Sequence, residues 1–307
     1  MAEAVTTVLP PQLLERTHNL SLVARRIVEG ALHGMHRSPA HGLSVEFAQH
    51  REYAPGDDLK HLDWRVIGRS ERYVIKQYEQ ETNLRALVVI DRSASMNYNI
   101  NRGEQQTKFA YARRLAAALS HIMLSQGDSV GLMTMSDDVV DHVPPRAAPS
   151  QLYAICRMLV ETQPNDRATD LPAALGTLAT TLKRRSLIVL VSDLFNDPDQ
   201  LNFVLGQLHH RGHEVVVFQV LDTLEMKFNV FKSSHGITVM RDMESGAEFD
   251  AEPHLVQHMV QAEINAFFEA LDTGAKRHGY DLVRTAIDRP VEDVVVEYVH
   301  QRAARHR

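Results

Sequence analysis

An α/β fold with a doubly wound, mostly parallel sheet is the architecture this sequence predicts, preceded by an N-terminal helical and irregular extension. Three observations point to it. Two short runs, Leu84 to Ile90 (apolar apart from Arg85) and Leu187 to Val191, lack polar alternation, as expected of strands buried on both faces of a parallel sheet. Such runs alternate along the chain with longer stretches whose apolar residues recur at helical spacing, which is the pattern of a wound sheet. The apolar runs also lead into carboxylates, Asp91 and Asp193, at the strand ends where open α/β sheets place their ligands.

The elements follow in order. After Pro10-Pro11, the spacing of Leu13, Leu14, Leu20, Leu22, Val23, Ile27 and Val28 predicts a helix from Gln12 to about Gly34, broken by Gly34, Pro39 and Gly42. The segment His41 to Glu81 is dense in charge yet punctuated by rings, poor material for a flexible linker. It is expected to fold onto the main domain through Phe47, Tyr53 and Trp64, either as a charged cover or as a partner-binding surface using Arg51, Asp57, Asp58, Asp63 and Trp64. The domain boundary is placed here, with residues 1–83 as the extension and 84–307 as the sheet domain.

Beyond the first apolar strand, Gln106 to Gln126 reads as a helix stopped by Gly127. Val130 to Met135 is a strand, and Asp138 to Val143 an antiparallel edge strand closed by Pro144-Pro145. A helix from about Ser150 to Glu161, a helix from Leu171 to Leu182 and the buried strand Leu187 to Val191 come next. They are followed by a helix near Asp199 to His210, a strand from Val215 to Val220 and an irregular stretch to Glu252 containing a β-like piece, Ile237 to Met240. A long helix from Pro253 to His278, a last strand from Tyr280 to Thr285 and a closing helix from Pro290 to about Gln301 complete the chain.

With 307 residues and 44% apolar content the chain can bury a full core, and its net charge of −6 gives no global attraction to nucleic acid or anionic lipid. No segment approaches the roughly 18 apolar residues of a membrane span, and the N-terminus lacks a basic start followed by an apolar run, so a soluble, cytoplasmic protein is expected. The single cysteine, Cys156, sits in a helical apolar pattern and reads as a small core residue. The 17 histidines include no H-E-x-x-H arrangement and no pairing with cysteine, which leaves zinc without a motif.

The stretch Asp91-Arg92-Ser93-Ala94-Ser95 places one carboxylate and two hydroxyls at alternate positions. If the strands ending at Asp91 and Asp193 are neighbours at the topological switch point, their loops converge beside the turn carrying Thr169. Asp91, Ser93, Ser95, Thr169 and Asp193 then offer only oxygen donors, which suit Mg²⁺, with Mn²⁺ or Ca²⁺ as substitutes. Three of the five are neutral, so the ion keeps a free position that an outside Asp or Glu would fit. Read singly, the carboxylates also suit turns, and Thr169 suits a helix N-cap before Asp170 and Pro172. Catalytic alternatives lack their parts: Ser93 stands where a haloacid dehalogenase-type phosphatase needs a second Asp, no phosphate-cradling glycine loop is present, and no histidine is nominated as a base for a serine nucleophile.

The Asp91, Ser93, Ser95 pattern with Thr169 and Asp193 resembles the metal-ion-dependent adhesion site of von Willebrand factor A-type domains. The preceding block, EFAQHREYAPGDDLKHLDWRVIGRSERYVIKQYEQE, resembles the signature of a bacterial family, domain of unknown function 58. The resemblance implies strand order 3-2-1-4-5-6, a cation held at or near Asp91, Ser93, Ser95 and Thr169, and Asp193 acting through water. It further implies association with MoxR-type AAA+ ATPases. This chain lacks the two N-terminal membrane helices of many relatives, so the expectation is a non-enzymatic, Mg²⁺-dependent protein-binding adaptor without a membrane span. The rival expectations are a metal-dependent hydrolase with Asp193 as base, and a structural subunit whose site stays empty.

Overall fold

In a computed structural model of the chain, residues 10–36, 50–52, 74–76, 84–97, 107–136, 139–165, 170–227, 238–241, 248–251 and 253–305 are described. The elements run α1 (Pro11–His36), β1 (His50–Glu52), β2 (Val74–Lys76), β3 (Arg85–Asp91), α2 (Lys108–Ser125), β4 (Ser129–Met135) and β5 (Val139–Arg146). They continue with α3 (Gln151–Glu161), α4 (Leu171–Thr181), β6 (Leu187–Ser192), α5 (Pro198–His210), β7 (Glu214–Leu221) and the short α6 (Thr223–Lys227). The chain closes with β8 (Thr238–Arg241), β9 (Glu248–Ala251), α7 (Pro253–His278), β10 (Asp281–Ala286) and α8 (Val291–Arg305).

Six strands form one sheet in the order β10-β7-β6-β3-β4-β5, parallel throughout except for the outer β5. Counted within this sheet from β3, the order is 3-2-1-4-5-6, as the resemblance implies. The apolar runs are unbroken because each strand feeds two cores. Ala86, Val88 and Ile90 of β3, with Leu187, Val189 and Val191 of β6, enter a core with α1, α2, α3 and α8. The alternate residues Leu87, Val89, Ile188 and Leu190 enter a second core with α4, α5 and α7. The switch point lies between β3 and β6, which pair directly, so the loops after both strands leave the sheet side by side.

Three expectations change. Helix α1, grouped in sequence with the extension, belongs to the main unit of residues 1–37 and 84–307, because Ala24, Ile27, Val28 and Ala31 are buried in the first core. Strand β5 does not stop at the prolines but runs on to Arg146. The register shifts between Val130 and Leu132 of β4, which pair with Arg146 and Val143, leaving Pro144 and Pro145 opposite Gly131. A Cβ on Gly131 would lie 2.7 Å from both Pro145 Cγ and the Val143 carbonyl, so only glycine fits. Gln151 secures the bulge by donating to the carbonyls of Val130 and Pro144 at 2.7 and 2.9 Å. The irregular stretch before α7, in turn, holds a hairpin-like pair, β8 with β9.

The second unit, residues 38–83, contains β1 paired antiparallel with β2, Arg51 lying opposite Ile75. Phe47, Tyr53, Asp57, Asp58, Asp63 and Trp64 lie outside the described residues. Among the described residues no helix is long and apolar enough to cross a membrane.

Candidate metal centre

Asp91 is the last residue of β3, and the chain turns sharply after it. Its Oδ1 accepts the Ser93 backbone N–H at 2.8 Å, folding the loop back on the strand end, and a short 3-10 turn, Ala94–Asn97, follows. That turn brings the two hydroxyls together, Ser93 Oγ lying 3.0 Å from Ser95 Oγ. Asp91, Ser93 and Ser95 are all buried. The neighbouring strand joins the loop through Ser192, whose hydroxyl donates to Asp91 Oδ2 at 2.6 Å and accepts the Leu194 N–H at 2.9 Å. Leu194 has φ +62°, a left-handed turn that sends the chain from β6 towards α5.

Asp193, also buried, follows in the same turn. Its Oδ1 accepts the Phe195 N–H at 3.2 Å and its Oδ2 accepts from Lys108 Nζ at 2.7 Å. The turn is held to the next strand by Gln219, which donates to the Asp193 carbonyl at 3.1 Å. The loop before α4 reaches the same edge, because the Asn165 N–H donates to the Arg92 carbonyl at 2.6 Å. Thr169 itself lies outside the described residues. The N-cap role that its position suggested belongs to Asp170, which accepts the Ala173 N–H at 2.9 Å.

Burial, and then the nearby charge of Asp193, push the Asp91 carboxyl up to about 6, against the pull of its bonds from Ser192 and Ser93. Two buried carboxylates at adjoining strand ends, with two buried hydroxyls on the first loop, are a donor set that a hard cation would relieve and satisfy. No group of three or more His, Cys, Asp or Glu gathers among the described residues, so an ion held here would depend on serine oxygens as much as on charge. The residues present therefore fit Mg²⁺, with Mn²⁺ or Ca²⁺ as substitutes.

Three contributors were not singled out in the sequence: Ser192, Lys108 and Glu225. Lys108 also donates to Glu225 Oε1 at 2.6 Å, while Glu225 Oε2 accepts the Asp222 N–H at 2.7 Å and Asp222 Oδ1 accepts the Leu224 N–H at 2.9 Å. This last exchange is a capping box, legible in Asp222-Thr223-Leu224-Glu225 as an N-cap residue followed three positions later by Glu. Burial pushes Glu225 upward and Lys108 draws it back. Burial likewise works against the Lys108 charge, but Asp193 and Glu225 outweigh it and raise its pKa above the usual lysine value.

The family model described as "Protein of unknown function DUF58" matches residues 49–270 of this chain. Uncharacterized proteins of Mycobacterium tuberculosis and Mycobacterium bovis are 28% identical over 257 residues, 82% of this chain and 78% of theirs. Among solved structures, the conserved hypothetical protein BatB from Bacteroides thetaiotaomicron overlaps 72% of this chain and 99% of its own, at 14% identity and TM-score 0.47. The SpRpn10 VWA domain overlaps 69% and 93%, at 12% identity and TM-score 0.41.

Proposed function

The chain belongs to the DUF58 family, and on the geometry of its strand ends we propose that it is a non-enzymatic protein-binding module whose contact with its partner depends on a divalent cation, Mg²⁺ foremost. Asp91, Ser93, Ser95 and Asp193 would hold the ion, with Thr169 from the loop before α4. When bound, the ion supplies an electrophilic anchor for an Asp or Glu side chain of the partner. The partner in this reading is a MoxR-type AAA+ ATPase or a client protein, with this chain as the adaptor between them.

One observation carries the reading: β3 and β6, paired at the switch point, deliver the buried Asp91 and Asp193 at adjoining strand ends, where the Ser192 hydroxyl donates to Asp91 and Ser93 lies against Ser95. The chain's own residues then divide the work. Ser192 and the Ser93 N–H orient Asp91, and the Ser93–Ser95 contact gathers the neutral donors. A hydrolase using Asp193 as general base is disfavoured, since both of its carboxylate oxygens already accept hydrogen bonds, one of them from a lysine ammonium.

The test is a pull-down with tagged wild type and Asp91→Ala, each with Mg²⁺ and with chelator, paired with circular dichroism of both proteins. Retention of an AAA+ ATPase or client by wild type in Mg²⁺ alone supports the reading. Identical capture in all four samples overturns it.

A further inference from the structure

Lys108 occupies the first position of α2, where the helix dipole disfavours a positive charge, and its side chain is wholly buried. Both features require a compensating reason. Its ammonium donates to Asp193 Oδ2 at 2.7 Å and to Glu225 Oε1 at 2.6 Å, and lies 4.9 Å from the centroid of the Phe195 ring. Glu225 does not follow Asp193 passively, because its other oxygen is fixed by the Asp222 N–H in the capping box of α6. The lysine is thus strung between a carboxylate of the candidate centre and an independently anchored one in α6, the short helix after β7.

We propose that Lys108 is a positioning residue that limits how tightly the centre holds its divalent ion. This deepens the cation-dependent reading above and rests on it. By holding Asp193 Oδ2, the ammonium competes with the ion for that carboxylate and places a fixed positive charge beside it. Asp91 is left as the one acidic donor on the first loop. An ion held by hydroxyls and two carboxylates, one of them already shared with an ammonium, keeps more of its charge for an outside Asp or Glu than one that has both carboxylates to itself. Glu225 shares the ammonium, and so sets how much of its charge falls on Asp193.

The test uses the full chain and Mn²⁺ alone as the probe, with free ion followed by electron paramagnetic resonance during titration. Wild type, Lys108→Met, Lys108→Gln, Glu225→Gln and Asp91→Ala are compared, each checked for folding by circular dichroism. Removing the ammonium is expected to tighten Mn²⁺ binding about tenfold or more, as one like charge lost at close range implies. Glu225→Gln is expected to weaken it several-fold, since the ammonium then bears on Asp193 alone. Opposite signs separate this role from a structural one, because a loosened fold weakens binding in every variant. Lys108→Gln removes the charge but keeps a polar N–H donor, and carries the test if Lys108→Met does not fold. Binding that is lost in Asp91→Ala yet unchanged or weaker without the ammonium overturns the role of Lys108 and leaves the metal centre standing. Absence of saturable Mn²⁺ binding by wild type overturns both.

Discussion

The Ser192 hydroxyl donates to Asp91 Oδ2 at 2.6 Å, one step beyond Ile90 and Val191, the last paired residues of β3 and β6. The Ser192 hydroxyl oxygen also accepts the Leu194 N–H, so one side chain ties two loops that lie 101 residues apart. Ser192→Ala leaves that N–H buried without its partner and strips a donor from Asp91. A loss of about 1–3 kcal/mol is expected, read as a lower urea midpoint at unchanged slope. A midpoint equal to wild type would show that the loops hold together without this contact.

Asp91 imposes a pH dependence of its own. Its folded-state pKa of about 6 exceeds the ordinary value of 3.8, so between these two values the folded chain holds the proton more tightly than the unfolded one. Stability from this group is therefore greatest below pH 4 and falls as pH rises towards 6. In chelator, Asp91→Asn should stabilise the protein at pH 8 by up to about 3 kcal/mol, at roughly 1.4 kcal/mol per pKa unit. The gain should vanish on acidification, and urea melts at pH 4 and pH 8 decide it; a pH-independent difference contradicts the assignment.

Gly131 is expected to tolerate no side chain. In Gly131→Ala the new methyl would meet Pro145 Cγ and the Val143 carbonyl at 2.7 Å, and backbone cannot swing aside as a side-chain tip can. About 1–3 kcal/mol of destabilisation follows from such overpacking. Thermal unfolding checks it, and a melting temperature unchanged by the alanine would mean that β5 detaches freely at the bulge.

Cys156 lies wholly buried within α3, and burial pushes its thiol up to about 12. Thiolate is therefore scarce at pH 8, and iodoacetamide should label the native chain only through unfolding. Labelling followed against urea concentration should track the unfolding transition. Rapid labelling well below that transition would place the thiol within reach of solvent.

The central strands were legible because both faces of β3 and β6 are covered, which leaves an apolar run that no amphipathic element imitates. That the loops carrying Asp91 and Asp193 leave adjoining strand ends was legible for a related reason, since the topology dictates that two switch-point strands pair directly. Lys108 was not, because its partners lie 85 and 117 residues away and no local spacing relates them. Its one local sign was a cation in the first turn of a helix. Adjacency in sequence groups helix α1 with the charged block, whereas its apolar residues Ala24, Ile27, Val28 and Ala31 pack in the core shared with α2, α3 and α8.

The doublet Pro144-Pro145 in the outer strand reaches beyond the packing of Gly131. Two consecutive residues there have no N–H to offer, so the β5 rim cannot present an unbroken ladder to an incoming strand. Growth of the sheet by another chain, whether as aggregation or as strand-addition recognition, is obstructed on this side.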